Sequence, residues 1–206
     1  MTNLPEEETM VSNTTVSNTT VSNTAVSKTT MTETPIAETA IERLTDFRNN
    51  DLADLCDTAE AAIEVGGGFG WLIPPTRDVM EAYWRGVLLI PGRHLFIARL
   101  DGVIAGSAQL SQPPRSAESR AHAASVSTFF VAPWARGHGL APSLLEACED
   151  LARKEGYAVL NLDVRETQTR AIQIFETKGY RRWGTDERYA RVGGKFIAGL
   201  YFQKDL

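Results

Sequence analysis

Between Val131 and Gly156 the chain reads VAPWARGHGLAPSLLEACEDLARKEG. No other stretch constrains the fold as much. An apolar run ends at Val131, Pro133 stops it, and a glycine-rich loop leads into a strongly patterned segment. There Leu144, Leu145, Cys148, Leu151 and Ala152 recur with the spacing of one helix face, and Gly156 ends the pattern. The expected unit is strand, loop, helix. Gly137 and Gly139 can take backbone angles that other residues avoid, so successive N–H groups can converge on one point. The helix N-terminus adds unsatisfied donors and partial positive charge, and Pro142 removes a donor the first turn does not use. Such a loop is suited to a pyrophosphate, with Arg136 and His138 as added side-chain contacts. A tight turn that merely needs glycine is the alternative reading of the same residues.

The surrounding pattern places this unit in a larger fold. Upstream, Thr39 to Leu44 reads as a short strand, Asp51 to Val65 as a helix, and Thr76 as the cap of a second helix through Leu88. Between the helices, GGGFG at Gly66 to Gly70 lacks the Gly-Lys-Ser/Thr of a phosphate loop and reads as a bent connector. HLFIARL and VIAGSAQL flank Asp101-Gly102, a two-residue hairpin signal. A third extended stretch runs from His122 to Val131. Downstream come a strand from Ala158 to Val164, a helix from Thr169 to Lys178, and strands near Tyr180 to Trp183 and Phe196 to Gln203. The result is an α/β (α+β) mixture: a mainly antiparallel sheet with one strand–helix–strand crossover.

Composition narrows the function. The net charge of −5 over 206 residues argues against a nucleic-acid-binding role. Two cysteines, Cys56 and Cys148, give no disulfide framework and favour a reducing compartment. No apolar run reaches the ~20 residues that span a bilayer, and MTNLPEEET has neither a basic nor an apolar leader region. A cytoplasmic protein without a membrane role is the expectation. His94, His122 and His138 share no ligand spacing, so no metal is expected.

Residues 1–35 differ from the rest. From Val11 they repeat VSNTT, VSNTT, VSNTA, VSKTT. A period of five matches neither helix nor strand, and one valine per unit buries too little to offset ordering. A disordered low-complexity tail is expected there, followed by one domain over 36–206.

Arg136-Gly-His-Gly-Leu-Ala141 matches the Q/R-x-x-G-x-G/A signature of the GNAT superfamily of N-acetyltransferases, and the chain resembles that family beyond the loop. The strand before it ends in V-x-P, and Ala171-IQIFETKG-Tyr180 is similar to the family's closing helix. GWLIPPTRDVMEAYWRGVL and the final YFQKDL are similar to the tabtoxin-resistance type of acetyltransferase.

The resemblance implies a sheet whose central strands splay, helices on both faces, and acetyl-CoA as co-substrate. It implies that Phe129, Phe130 and Val131 flank the pantetheine arm. Arg136, Gly137, His138, Gly139, Leu140 and Ala141 would hold the pyrophosphate. The acceptor would be the primary amine of a small molecule or amino acid, attacked directly, by a monomer or a homodimer. Protein N-terminal or lysine acetylation is a rival reading, as is a CoA-binding module without turnover. Two positions depart from the family pattern. Phe175 stands where a tyrosine usually protonates the leaving thiolate, and Ser125, Ser127 and Thr128 occupy the region of the usual glutamate base. Asp163 is the leading remaining carboxylate, with a structural aspartate as its alternative reading. From Arg165 to Asp205 the chain holds nine Lys or Arg and five Asp or Glu, which read as a solvated face or, in the functional version, place Arg165 or Arg170 at the CoA phosphates or at a substrate carboxylate. Trp71, Tyr83, Trp84 and Tyr189 are expected either in an acceptor pocket or in the core. Cys148 is expected to be a packed core thiol.

Overall fold

The computed structural model describes residues 37–67 and 70–206, so the expected tail at 1–35 lies outside the described residues. Seven strands form a single sheet: β1 (Thr39–Leu44), β2 (Arg93–Leu100), β3 (Val103–Ser111), β4 (Ala123–Val131), β5 (Val159–Arg165), β6 (Arg181–Val192) and β7 (Lys195–Asp205). Their order is β1-β2-β3-β4-β5-β7-β6. Every neighbouring pair is antiparallel except β4 and β5, which are parallel. That one parallel pair is joined by the expected crossover helix, α3 (Leu140–Lys154).

The other helices are α1 (Asp51–Glu64), α2 (Arg77–Leu89) and α4 (Thr169–Thr177). On α1 and α3 the buried face is the patterned one, whereas α2, whose spacing foretells a face of Val79, Tyr83 and Val87, turns Met80, Trp84 and Val87 inward and leaves Val79 exposed. On α1, Leu55, Ala59, Ala62 and Ile63 are sealed against β2, β3 and the α2 residues Met80, Trp84 and Val87. On α3, Leu144, Leu145, Cys148 and Ala152 pack on the opposite sheet face with Leu160, Leu162 and Val164 of β5. Burying each large apolar side chain contributes roughly 1.5–3 kcal/mol, so both faces of the sheet are held independently. Among the described residues no helix is long and apolar enough to cross a membrane.

The Asp101-Gly102 turn has φ of 50° and 83°, and it joins Leu100 to Val103 as directly paired residues. Those positive angles match the twist of a tight hairpin. Thr76 does occupy the cap position of α2, but its side chain makes no capping hydrogen bond there. The clearest departure from the sequence pattern is β6, twelve residues long instead of a few. It is an outer strand, mostly exposed, and its pairing with β7 slips at Arg182/Gly184 and at Asp186/Ala190. A polar, irregular edge strand leaves no alternation to read.

Candidate active site

The site begins where β4 leaves β5. Their pairing covers only Ala123 to Ser125 against Val159 to Asn161. β4 still follows β3 to Val131, and β5 still follows β7 to Arg165. Beyond Ser125, then, β4 and β5 are no longer paired with each other.

A bulge accompanies the split. Two β3 steps, Ser107 to Gln109, span three on β4, Phe130 to Ser127, and Thr128 sits at φ 48°. A β-branched residue in that region is strained by roughly 1–3 kcal/mol, and such strain gathers at functional sites. Tyr83 of α2 holds the bulge. Its hydroxyl lies 3.3 Å from Thr128 Oγ1 and accepts a 3.0 Å hydrogen bond from Gln109 Nε2. The inserted residue reverses the strand's facing. Ala124 and Val126 pack with α3, whereas Phe130 packs with α1 and α2, and Phe129 and Val131 take over the α3 side.

Two clefts meet at the split. The first, about 480 Å³, is bounded by Phe129, Phe130 and Val131 on the strand side. Its far wall holds Arg136, Gly137, Gly139, Leu140 and Ala141. Gly139 is the N-cap of α3 with φ 75°, and no side chain caps that helix. The N–H groups of Leu140 and Ala141 therefore have no intrahelical acceptor and face an open loop. Arg136 is exposed at the mouth, and so is Arg170 from the start of α4. His138 departs from expectation. It does not line the cleft, and its ring Nδ1 lies 3.2 Å from the Ala135 carbonyl within the same loop.

The second cleft, about 700 Å³, opens on the α2 side and shares Phe129, Gln168 and Ala171 with the first. Trp71, Tyr83 and Tyr189 line it, while Trp84 is fully buried in the core. Asp163 and Arg165, on the same face of β5, also line it. Asp163 accepts a hydrogen bond from the Tyr189 hydroxyl at Oδ2. Burial, and then the bond and charge of Asp163, push the Tyr189 hydroxyl well above its usual range, so it remains a donor. Phe175 reaches this cleft from α4. It is 3% exposed and packed among Phe129, Tyr180 and Phe202.

Arg165 and Arg170 occupy different clefts. Arg165 is buried, and its Nη2 donates to the carbonyls of Gly66 (3.0 Å) and Gly67 (2.8 Å), tying the α1–α2 connector to β5. Neither cysteine is a competent nucleophile. Burial raises the Cys56 thiol to about 11 despite the opposing charge of Arg77, and it raises Cys148 further.

Sequence reasoning missed Gly199. A Cβ on this β7 residue would overlap the Tyr189 ring, so only glycine lets that ring lie across the strand toward Asp163. A glycine inside a strand pattern is the signal that could have found it. Gly199→Ala is expected to displace the Tyr189 ring and break its hydrogen bond to Asp163, which a crystal structure of the variant checks; a ring left in place would show that the β7 glycine is not needed for the contact.

Comparison with known proteins gives this fold its class. The acetyltransferase (GNAT) family profile matches residues 56–180. An uncharacterized N-acetyltransferase of Azospirillum brasilense, from the hisH-hisA intergenic region, is 60% identical over 130 residues, covering 63% of this chain and 77% of that protein. The N-alpha-acetyltransferase RimI of Mycobacterium tuberculosis is 32% identical over 146 residues, covering 69% and 80%. Among solved structures, yncA of Salmonella typhimurium, described with its cofactor acetyl-CoA, aligns with a TM-score of 0.67 at 18% identity over 82% of this chain and 94% of that one. The chain belongs to the GNAT acetyltransferase family and is an acyltransferase.

Proposed function

We propose that this enzyme takes its acetyl group from acetyl-CoA and transfers it directly to the primary amine of a small molecule or amino acid. The observation that carries the reading is the junction of the two clefts at the β4–β5 split. One cleft ends in free helix N–H groups, and the other holds a carboxylate.

The first cleft fits the cofactor. Leu140 and Ala141 N–H, the loop at Gly137 and Gly139, and the Arg136 guanidinium offer donors to a pyrophosphate. Arg170 offers a further phosphate contact. Past the end of its pairing with β5, β4 offers the backbone groups of Phe129 and Val131 to the pantetheine amides. Acetyl-CoA supplies an activated thioester. What the chain adds is position, N–H donors for developing negative charge, and a route for protons.

On the acceptor side, Asp163 is the base. Tyr189 occupies Oδ2, and Oδ1 makes no hydrogen bond to a described residue. That oxygen takes the amine proton directly or through one water. Phe175 carries no proton, so solvent protonates the departing thiolate; a thiol pKa near ~8.5 makes it a tolerable leaving group.

Acetyl-CoA-dependent thiol release across a panel of amines tests the function. Stabilisation by CoA with no release for any amine would leave a binding module instead. The similarity to RimI favours a second reading, acetylation of a protein N-terminus. Peptides outcompeting free amino acids in the same assay would establish it.

Phe175→Tyr probes the thiolate proton. The ring lines the acceptor cleft, so a hydroxyl can open toward the junction. Thiol release is expected to stay equal or rise up to about tenfold, with the melting temperature held within a few degrees. A fall in rate at unchanged stability would count against solvent as the proton source.

A further inference from the structure

We infer that the acceptor carries a carboxylate, and that Arg165 binds it while Asp163 receives the amine. This rests on the acetyl-transfer reading and names the class of molecule that fills its second cleft. Arg165 is 8% exposed, yet among the described residues no carboxylate pairs with it. The acids beside it in sequence are already engaged: Asp163 accepts from Tyr189, and Glu166 accepts from the Ala198 N–H. Among the described residues only its Nη2 is used, and by neutral carbonyls. Nε and Nη1 make no hydrogen bond to a described residue, and Arg165 lines the second cleft.

A guanidinium keeps its charge at any working pH, so the site holds a largely desolvated cation that backbone dipoles compensate only in part. An anion completes it, and with Nη2 engaged a carboxylate oxygen takes a charge-assisted hydrogen bond from Nη1 or Nε. The position excludes the phosphates as that anion. Arg165 lines the second cleft and not the first, where Arg136 and Arg170 stand. Asp163 lies two residues earlier on the same strand face, about 6.6 Å away along β5. An ammonium at Asp163 and a carboxylate at Arg165 fit one small zwitterion lying along the strand. Arg191, exposed at the same cleft, adds a second positive charge, so the lining carries two cations against one acid. An amine without an anionic group would leave that excess unanswered.

The experiment pairs each standard L-α-amino acid with its α-carboxamide, which keeps the amine and removes the negative charge. The unmodified enzyme is expected to prefer the best acid over its amide by about 100-fold in kcat/KM, as a site built for a polar group rejects the analogue that lacks it. Arg165→Gln keeps a donor for the Gly66 and Gly67 carbonyls and removes the charge. It is expected to bring the acid-to-amide ratio close to one, mainly through KM of the acids. Arg165→Lys should restore part of the preference. Calorimetric binding of the same pairs to the enzyme saturated with CoA reads the preference without turnover. Should thiol release fail for every amine while the acids still bind through Arg165, the acetyl-transfer reading falls and the carboxylate site stands. An unmodified enzyme indifferent to the acid or amide form, or an Arg165→Gln variant that keeps the full preference while folded, would overturn the inference.

Discussion

Gly139→Val is expected to weaken acetyl-CoA binding about 100-fold in a chain that still folds. Gly139 caps α3 at φ 75°, a conformation that costs an L-residue roughly 1–2 kcal/mol and a β-branched one more. Apart from its chain neighbours, no heavy atom of the described residues lies within 4 Å of where a Cβ would stand. The substitution therefore adds strain without an internal clash, and the domain should lose only a few degrees in melting temperature. The consequence for the cleft is larger. Relief of the strain turns the loop away from the left-handed region and swings the N–H groups of Leu140 and Ala141 off their common target. Hydrogen bonds to a charged group contribute about 1.5–3 kcal/mol each. Losing the better part of two is a loss near 3 kcal/mol, or about 100-fold. Calorimetric titration with acetyl-CoA measures it, with Gly139→Ala expected to fall between. Undiminished affinity in a folded Gly139→Val protein would remove this loop from the proposed phosphate site.

The same segment shows how far the sequence could be read. The strand–loop–helix unit, the Asp101-Gly102 hairpin and the strand over Ala158 to Val164 were legible because each is a local pattern facing a local core. Leu160, Leu162 and Val164 do face α3, with Asp163 on the other side. What stayed hidden depends on contacts between distant segments. The Thr128 bulge arises from the register of β4 on β3, and nothing in SVSTFFV announces the extra residue. Arg165 looked like one basic residue in a charged stretch. Its isolation from carboxylates becomes visible only when the α1–α2 connector closes over it. His138 was expected at the anion site from its place in the motif, but the ring turns to the Ala135 carbonyl instead. A loop motif fixes backbone geometry well, whereas the aim of an exposed side chain depends on what lies nearest to it.

Asp163→Asn is expected to lower kcat/KM by about 100-fold at neutral pH and by much less above pH 9. The starting point is geometry. Asparagine keeps the size of the side chain, and its Oδ1 can still accept from Tyr189, so the second cleft keeps its shape. The Tyr189 hydroxyl, held protonated by burial, does not titrate across the assay range and contributes no pH dependence of its own. What the variant lacks is a site for the amine proton. At neutral pH an acceptor amine is mostly ammonium, and a positioned base contributes 10²–10⁴-fold by removing that proton. At higher pH solvent has already removed it, and the carboxylate has less to do. The ratio of unmodified to variant rate should therefore fall steadily as pH rises through the amine's own pKa. Thiol-release profiles from pH 6 to 10 on both proteins measure that ratio. A loss of equal size at every pH would assign Asp163 to anchoring the ammonium and not to accepting its proton. No loss at any pH would mean that the proton leaves by a route on which Asp163 does not lie.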